Sequence, residues 1–210
     1  MDRTIVIFAS SIKYQGRCVA GKCISSNNWI RPVSTNNGGE LSSQQVLVKN
    51  NYGKFPVKNL QKIQIQFEKE VPLINQPENF LISDSEWVQS YKIDLSEVSS
   101  YLDSPSDLWG DGDSLNYQKI QNGNLVISNS LSLVRVVNLT LYTKIFNGKL
   151  RPRVKFTYNN IDYDLANTDA NFNLLIGQYQ FPQDNAILCI SLAEPWNSRC
   201  YKVVAAIYIV

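Results

Sequence analysis

The chain contains no histidine among its 210 residues. Histidine supplies the general base of Ser-His-Asp and Cys-His triads, and it is a metal ligand in HExxH hydrolases and zinc deaminases. The sequence therefore excludes these enzyme classes. Any catalysis would have to use carboxylate, lysine, tyrosine, serine or cysteine groups.

Cysteine is also scarce, and no CxxC pair is present. The four thiols are Cys18, Cys23, Cys189 and Cys200. We expect them to be reduced and to lie in or near strands. The five-residue spacing of the first two would place them on opposite faces of a strand unless a bulge at Gly21 realigned them, so we expect no zinc site. Asp-Gly-Asp at 111–113 lacks the further ligands of a calcium loop. We expect neither a metal nor a cofactor.

Long apolar runs are missing as well. None approaches the roughly 18 residues of a membrane span, and the start MDRTIVIF is too short and wrongly flanked for a signal peptide. The hydrophobic content of 44% is ordinary for a globular protein. We expect a cytoplasmic protein with no membrane partner.

Charge is divided unevenly along the chain. Residues 1–69 carry ten Lys or Arg and three Asp or Glu, giving +7; residues 70–120 carry two and ten, giving −8; residues 121–210 carry eight and five, giving +3. These sum to the net charge of +2. A local positive surface is compatible with this near-neutral total, unless the acidic segment folds over it.

The opening ribbon, residues 13–34, combines basic, aromatic and glycine residues. Two β-type runs are joined by a Ser-Ser-Asn-Asn turn, and Gly21 marks a bulge or a close backbone approach. Lys13, Arg17, Trp29 and Arg31 would lie within one hairpin, a mixture that suits phosphate contact and base stacking. The alternative is a surface hairpin whose tryptophan belongs to the core.

A second basic surface is predicted in the later part of the chain. Asn147-Gly148 between two β-type runs is a strong hairpin signal. Arg151, Arg153 and Lys155 would share one strand face, and Lys144 and Lys149 lie on the same hairpin. Such a cationic ladder suits a polyanion backbone. It would also protect a soluble edge strand, and both interpretations stay open.

Many short strands and few helices favour two small barrels over one sandwich. In residues 62–68, apolar and polar side chains alternate with the period of a half-buried strand. We predict a short helix around Trp87 and another that starts with an Asp94–Glu97 capping box. The domain limits we predict are 1–106 and 125–210, with a linking loop at 107–124.

Several motifs together resemble the dual OB-domain family, whose members are described as nucleic-acid modification proteins. They are Ser11 with Lys13, RCVAG at 17–21, WIRPVS at 29–34, QxEN at 76–79, Tyr163 with Leu165, Thr168-Asp169, and Tyr201-Lys202. The resemblance spans nearly the whole chain. It implies a mostly β protein of two small OB-like β-barrels joined by a short helical and acidic segment.

The resemblance also implies a nucleic-acid or nucleotide ligand, in a modification or defence system. Our leading hypothesis is a non-catalytic nucleic-acid-binding module that serves or recruits a partner modification enzyme. Its expected ligand-binding residues are Lys13, Arg17, Trp29, Arg31, Gln76, Asn79, Arg151, Arg153, Lys155 and Lys202.

Two alternatives stay open. One is an enzyme acting on a nucleotide, an NAD-derived ligand or a nucleic-acid base, with Glu78 or Asp169 as the base. Convergence of these carboxylates with Lys13 and Arg17 in a deep pocket would favour it. The other is a scaffold whose acidic middle contacts a basic partner.

Overall fold

The computed structural model of the chain has 55% of its residues in strands and 9% in helices. Residues 1–13 and 16–210 are described, with the side chain of Lys13 left out. Two compact units are present: residues 1–101 with 127–129, and residues 102–126 with 130–210. The domain limits predicted from the sequence stay a prediction, because compactness does not test independent folding.

The first unit contains eight of the described strands and one 3-10 helix. They are β1 (Asp2–Lys13), β2 (Gly16–Cys23), β3 (Trp29–Val33), β4 (Leu47–Asn50), β5 (Gly53–Pro56), β6 (Gln61–Glu70), β7 (Asn79–Ile82), β8 (Trp87–Lys92) and the 3-10 helix Leu95–Tyr101.

Five of these strands close a barrel in the order β1-β2-β3-β7-β6 and back to β1. The β3–β7 pair is parallel and the other four pairs are antiparallel. This is a five-stranded Greek-key barrel of the OB type. Strands β8, β4 and β5 extend the sheet beyond β6.

The barrel forms because its strands carry apolar side chains on one face. In β6, Ile63, Ile65 and Phe67 are buried and the residues between them face outward, which confirms the alternating pattern. Gly21 in β2 lies against β1, where a Cβ would be 2.3 Å from the carbonyl oxygen of Val6. The predicted close backbone approach at this glycine is therefore confirmed.

The second unit contains six of the described strands and two short helices. They are β9 (Ser114–Asn116), α1 (Tyr117–Gln121), β10 (Leu131–Phe146), β11 (Lys149–Tyr158), β12 (Ile161–Asn167), α2 (Phe172–Gln178), β13 (Ala186–Trp196) and β14 (Arg199–Ile209). The segment 107–124 thus contains both β9 and α1.

Its barrel repeats the connectivity of the first, in the order β10-β11-β12-β14-β13 and back to β10. Here β12–β14 is the parallel pair. The nearly continuous apolar sequence of β14 follows from its place between β12 and β13. The core includes Leu141, Val154, Phe156 and Leu188.

Two helix predictions have different outcomes. The segment at Trp87 is strand β8, so the helix expected there is wrong; β8 pairs with β4 and β6, and Trp87 is buried. Tertiary pairing overrides a short local helix signal. One half of the capping box is present at the start of the 3-10 helix, where the Asp94 amide donates to the Glu97 carboxylate over 2.8 Å. The Glu97 amide donates to the Asp94 backbone carbonyl over 3.1 Å.

All four cysteines are free thiols located in strands, as expected. None of the helices in the described residues is long and apolar enough to cross a membrane.

Candidate nucleic-acid interface

The opening ribbon contributes more to the first core than to the surface. Trp29 is 5% exposed and packs edge-on against Phe8, with ring centroids 6.2 Å apart. Lys22 is also buried, and its Nζ donates to the carbonyl of Tyr101 over 2.8 Å and lies 5.2 Å from the Trp29 ring. The expected stacking role of Trp29 therefore needs correction, because its ring is covered by its own barrel.

Arg31 and Glu78 form a buried ion pair. Nε and Nη2 of Arg31 donate to Oε1 of Glu78 over 3.2 and 3.1 Å, and the two side chains are 10% and 3% exposed. The parallel β3–β7 pairing brings them together, since the Arg31 amide also donates to the Glu78 carbonyl. The charge of Arg31, expected to contact a phosphate, is therefore balanced by Glu78. The carboxylate of Glu78, expected to act as a base, is in turn held by Arg31, so we assign both residues a structural role.

Gln76 and Asn79 lie close together, but both are buried. A Cβ added at Gly38 would lie 3.0 Å from Asn79 Nδ2 and 3.7 Å from Gln76 Oε1. Both amide atoms of Asn79 are buried without a hydrogen-bond partner in the described part of the chain. The two amides of the expected polar set are close together, but in this conformation they are buried and not exposed to a polymer.

The remaining candidates of the opening ribbon are Arg17 and Lys13. Arg17 is half-buried in β2, where its backbone exchanges hydrogen bonds of 2.8 and 2.9 Å with Leu41. The side chain of Lys13 lies outside the described residues.

Lys202 is a structural residue of the second unit. It is 1% exposed, and its Nζ donates to the carbonyls of Gly110, Asp111 and Gly112 over 2.7, 3.0 and 3.0 Å. An ammonium group has three protons, so all its donors are used and none is left for a phosphate. Burial lowers its pKa to about 8, against the opposing effect of nearby aspartates. Lys202 therefore binds the 110–112 segment of its own unit and does not contact a ligand as the sequence predicted.

Asp169 holds the start of α2 against β14. Its Oδ1 accepts from the Asn171 amide and its Oδ2 accepts from the Ile207 amide, both over 2.8 Å. Burial raises the pKa of this carboxyl, while the two backbone hydrogen bonds act in the opposite direction. This geometry is that of a structural acceptor. Asp169 belongs to the second unit and Glu78 to the first.

The β10–β11 hairpin carries the exposed cations. We call residues 140–155 the basic hairpin. Directly opposed pairs of residues alternate between the two faces of the hairpin. From the barrel to the tip, one face contains the pairs Thr140–Lys155, Tyr142–Arg153, Lys144–Arg151 and Phe146–Lys149. Asn147 and Gly148 form the turn with positive φ values of 49° and 70°, as the Asn-Gly signal predicts.

Four cations of this face are exposed: Lys144, Lys149, Arg151 and Lys155. Arg153 differs, because Asp164 on β12 accepts from its Nε over 2.9 Å. Tyr142 donates to the same carboxylate over 2.5 Å, and Lys155 Nζ lies 5.1 Å from the Tyr142 ring. The basic ladder therefore consists of exposed cations at Arg151 and Lys155, whereas the charge of Arg153 is paired with Asp164.

The tip of the hairpin extends beyond the barrel core. Leu141 and Val154 are opposed and buried, but the next apolar pair, Ile145 and Leu150, is 71% and 67% exposed. Phe146 on the cationic face is 61% exposed. The expectation from sequence placed stacking on Trp29 and missed Phe146, although its position beside the Asn-Gly turn indicates a tip residue.

The first unit also contains a cavity of about 580 Å³. It lies between the β2–β3 turn, the segment entering β7, and residues 128–129. Glu78 and Trp29 are among its lining residues, whereas Arg17 is not among those in the described part of the chain. It therefore does not contain the expected set of Arg17 with both carboxylates.

Comparison with known proteins gives a family and distant structural similarities. No curated protein matches the chain. The crystal structure of the tetrameric p202 HIN2 covers 100% of this chain and 93% of its own, at 7% identity and a TM-score of 0.39. The Ifi202 HINa domain in complex with 20bp dsDNA covers 100% and 95%, at 10% identity and a TM-score of 0.34. At these values neither structure indicates what this chain binds.

The family match covers almost the whole chain. The model described as DuOB, the dual OB-containing domain, matches residues 3–207. Each half of that range contains one of the two closed five-stranded barrels. The chain therefore belongs to the dual OB-containing domain family.

Proposed function

We propose that the chain is a nucleic-acid-binding module that contacts the sugar-phosphate backbone through the basic hairpin. The observation that carries this proposal is the hairpin face that presents four exposed cations, with the exposed Phe146 at its tip. Cations on such a face neutralise phosphates, and an exposed ring among them offers a surface on which a base can stack.

The arrangement favours backbone contact over sequence reading. Lysine and arginine on a strand face reach phosphates without identifying the base, and stacking tolerates every base. We therefore expect weak sequence preference. The hairpin is also a two-stranded ribbon, an element that fits the major groove of duplex DNA, so duplexes belong in the test beside single strands.

Fluorescence anisotropy with labelled single-stranded and duplex DNA and RNA at low salt tests the proposal. We expect at least one of these polymers to bind, with an affinity that falls steeply as salt is raised. Absence of binding to all of them at low salt, or affinity that does not respond to salt, would refute the proposal.

We further propose that the module serves a nucleic-acid modification or defence enzyme, on the basis of the family resemblance. A partner of that kind should co-purify with the tagged chain from its native host. Its retention after nuclease treatment would indicate a direct protein contact, whereas its loss would indicate a contact through nucleic acid.

A further inference from the structure

The cavity of the first unit has the size of a small-molecule site. Its volume of about 580 Å³ falls within the roughly 300–1,000 Å³ typical of ligand pockets. It is separate from the basic hairpin in sequence and lies entirely on residues of the first unit.

Part of its lining is apolar and aromatic. Trp29 and Ile30 are 5% and 2% exposed, and the half-buried Phe80 and Pro77 stand beside them. Phe80 is held by a ring contact with Phe67 at 5.4 Å. Surfaces of this kind favour a flat, apolar ring system.

The charges around the cavity do not favour a phosphate. Arg3, Glu70 and Glu78 line it. The carboxylate of Glu78 is already paired with Arg31, which leaves Arg3 to balance the exposed Glu70. The local charge is therefore close to zero, and a dianionic group would lie near a carboxylate.

The rim supplies both donors and acceptors. Asn28 and Asn129 carry side-chain amides, and Ser25, Ser26 and Ser128 carry hydroxyls. The Ser25 hydroxyl is within hydrogen-bond distance of Cys23 Sγ, and the Ser26 hydroxyl accepts from the Asn28 backbone amide, so each keeps only part of its hydrogen-bonding capacity for a ligand. All five residues are exposed. Amides and hydroxyls can each donate and accept, so they can pair with the mixed polar edge of a heteroaromatic ring or with the hydroxyls of a sugar.

We infer that this cavity is a binding site for an uncharged heteroaromatic molecule of nucleoside size. The half-buried ring of Phe80 would contact the heteroaromatic ring, and the rim amides and hydroxyls would pair with its polar groups. The inference does not depend on the proposed function of the basic hairpin, because a neutral ligand needs none of the hairpin cations.

Amide NMR spectra of the full chain provide the test, with adenosine, guanosine, cytidine and uridine each added at about 1 mM, a weak-binding range. We expect at least one nucleoside to shift amides of residues 23–30, 78–80 and 128–129 in a saturable way. The shifts should be insensitive to salt, and the corresponding 5′-monophosphate should bind more weakly.

A matched pair of variants locates the site. Asn28→Ala removes a rim amide and should weaken binding by about 3- to 10-fold, the effect of one hydrogen bond. Asn51→Ala removes an exposed amide in the turn between β4 and β5 and should leave binding unchanged. The spectrum itself reports that each variant is folded.

Several outcomes would overturn the inference: no response of the cavity amides to any of the four nucleosides, equal binding by the two variants, or tighter binding of a monophosphate than of its nucleoside. Shifts confined to the basic hairpin would also overturn it. A failed nucleoside titration beside salt-dependent polymer binding would refute the cavity site and leave the proposed function standing.

Discussion

Removal of the exposed charge from the basic hairpin should reduce the salt dependence of nucleic-acid binding by a calculable amount. The variant replaces Lys144, Lys149, Arg151 and Lys155 with glutamine. None of the four takes part in an ion pair within the described part of the chain. Each contacted phosphate contributes a slope of about −0.7 for single strands and about −0.9 for duplex DNA to log K against log salt.

If all four cations contact phosphates, the slope should become less steep by about 2.8 for single strands and about 3.6 for duplexes. For a fourfold rise in salt, these four contacts account for a loss of affinity of about 50- to 150-fold. Anisotropy titrations over a salt series measure the slope directly for the variant and the unaltered chain.

The control variant replaces four other exposed lysines with glutamine and so makes the same change in net charge: Lys58, Lys69, Lys92 and Lys119. If binding depends on contacts of the hairpin, this control should change the slope far less. Equal reductions in both variants would refute the reasoning, since they would show that binding follows net charge alone. An unchanged slope in the hairpin variant would refute it as well.

Three further changes test individual residues. Phe146→Ala should weaken single-strand binding by about 1–3 kcal/mol in the same titrations if a base stacks on the ring, and Leu150→Ala on the opposite face should not. Asp169→Ala should lower the free energy of unfolding in urea by about 1–3 kcal/mol, because the buried Ile207 amide loses its acceptor. In the folded chain the pKa of Lys202 is about 8, whereas in the unfolded chain it should have the ordinary value of 10.5. Between these two pH values Lys202 is therefore more fully protonated in the unfolded chain than in the folded one. The free energy of unfolding should therefore increase by up to about 3 kcal/mol as pH rises from 8 to 10.5, and Lys202→Met should remove this increase. Urea titrations at several pH values measure it, and the same dependence of the unfolding free energy on pH in the variant and the unaltered chain would contradict this.

Local sequence patterns predicted the parts of the fold that depend on neighbouring residues. The Asn147-Gly148 turn, the alternation in β6 and the close approach at Gly21 each follow from a few adjacent side chains. The helix α2 and the strand at Trp87 were missed, because the signals there are short. Barrel closure depends on the parallel pairs β3–β7 and β12–β14, which join segments far apart in the chain.

The candidate site shows the same division between local and distant information. Residue type and spacing placed Arg151 and Lys155 correctly on one strand face. They could not show that Arg31 meets Glu78, since the partner is 47 positions away. They could not show either that Lys202 meets carbonyls about 90 positions away. A cation in a sequence is available to a ligand only if no distant acceptor uses it.

The acidic segment illustrates this point for the whole chain. Glu86 pairs with Lys49 and Lys54, Asp103 accepts from the Leu133 amide over 2.8 Å, and Asp107 accepts from the Gly110 amide. Each of these carboxylates is engaged by a lysine or a backbone amide outside the basic hairpin or at the buried base of its strand, and within the part of the chain that the structure describes none of them pairs with an exposed cation of the hairpin. In the described residues the ion pair at the basic hairpin is instead with Asp164 of the adjoining strand, and it engages Arg153 alone. The charge that a polyanion would meet is therefore set by the four exposed cations of that face, and the net charge of +2 is a poor guide to it.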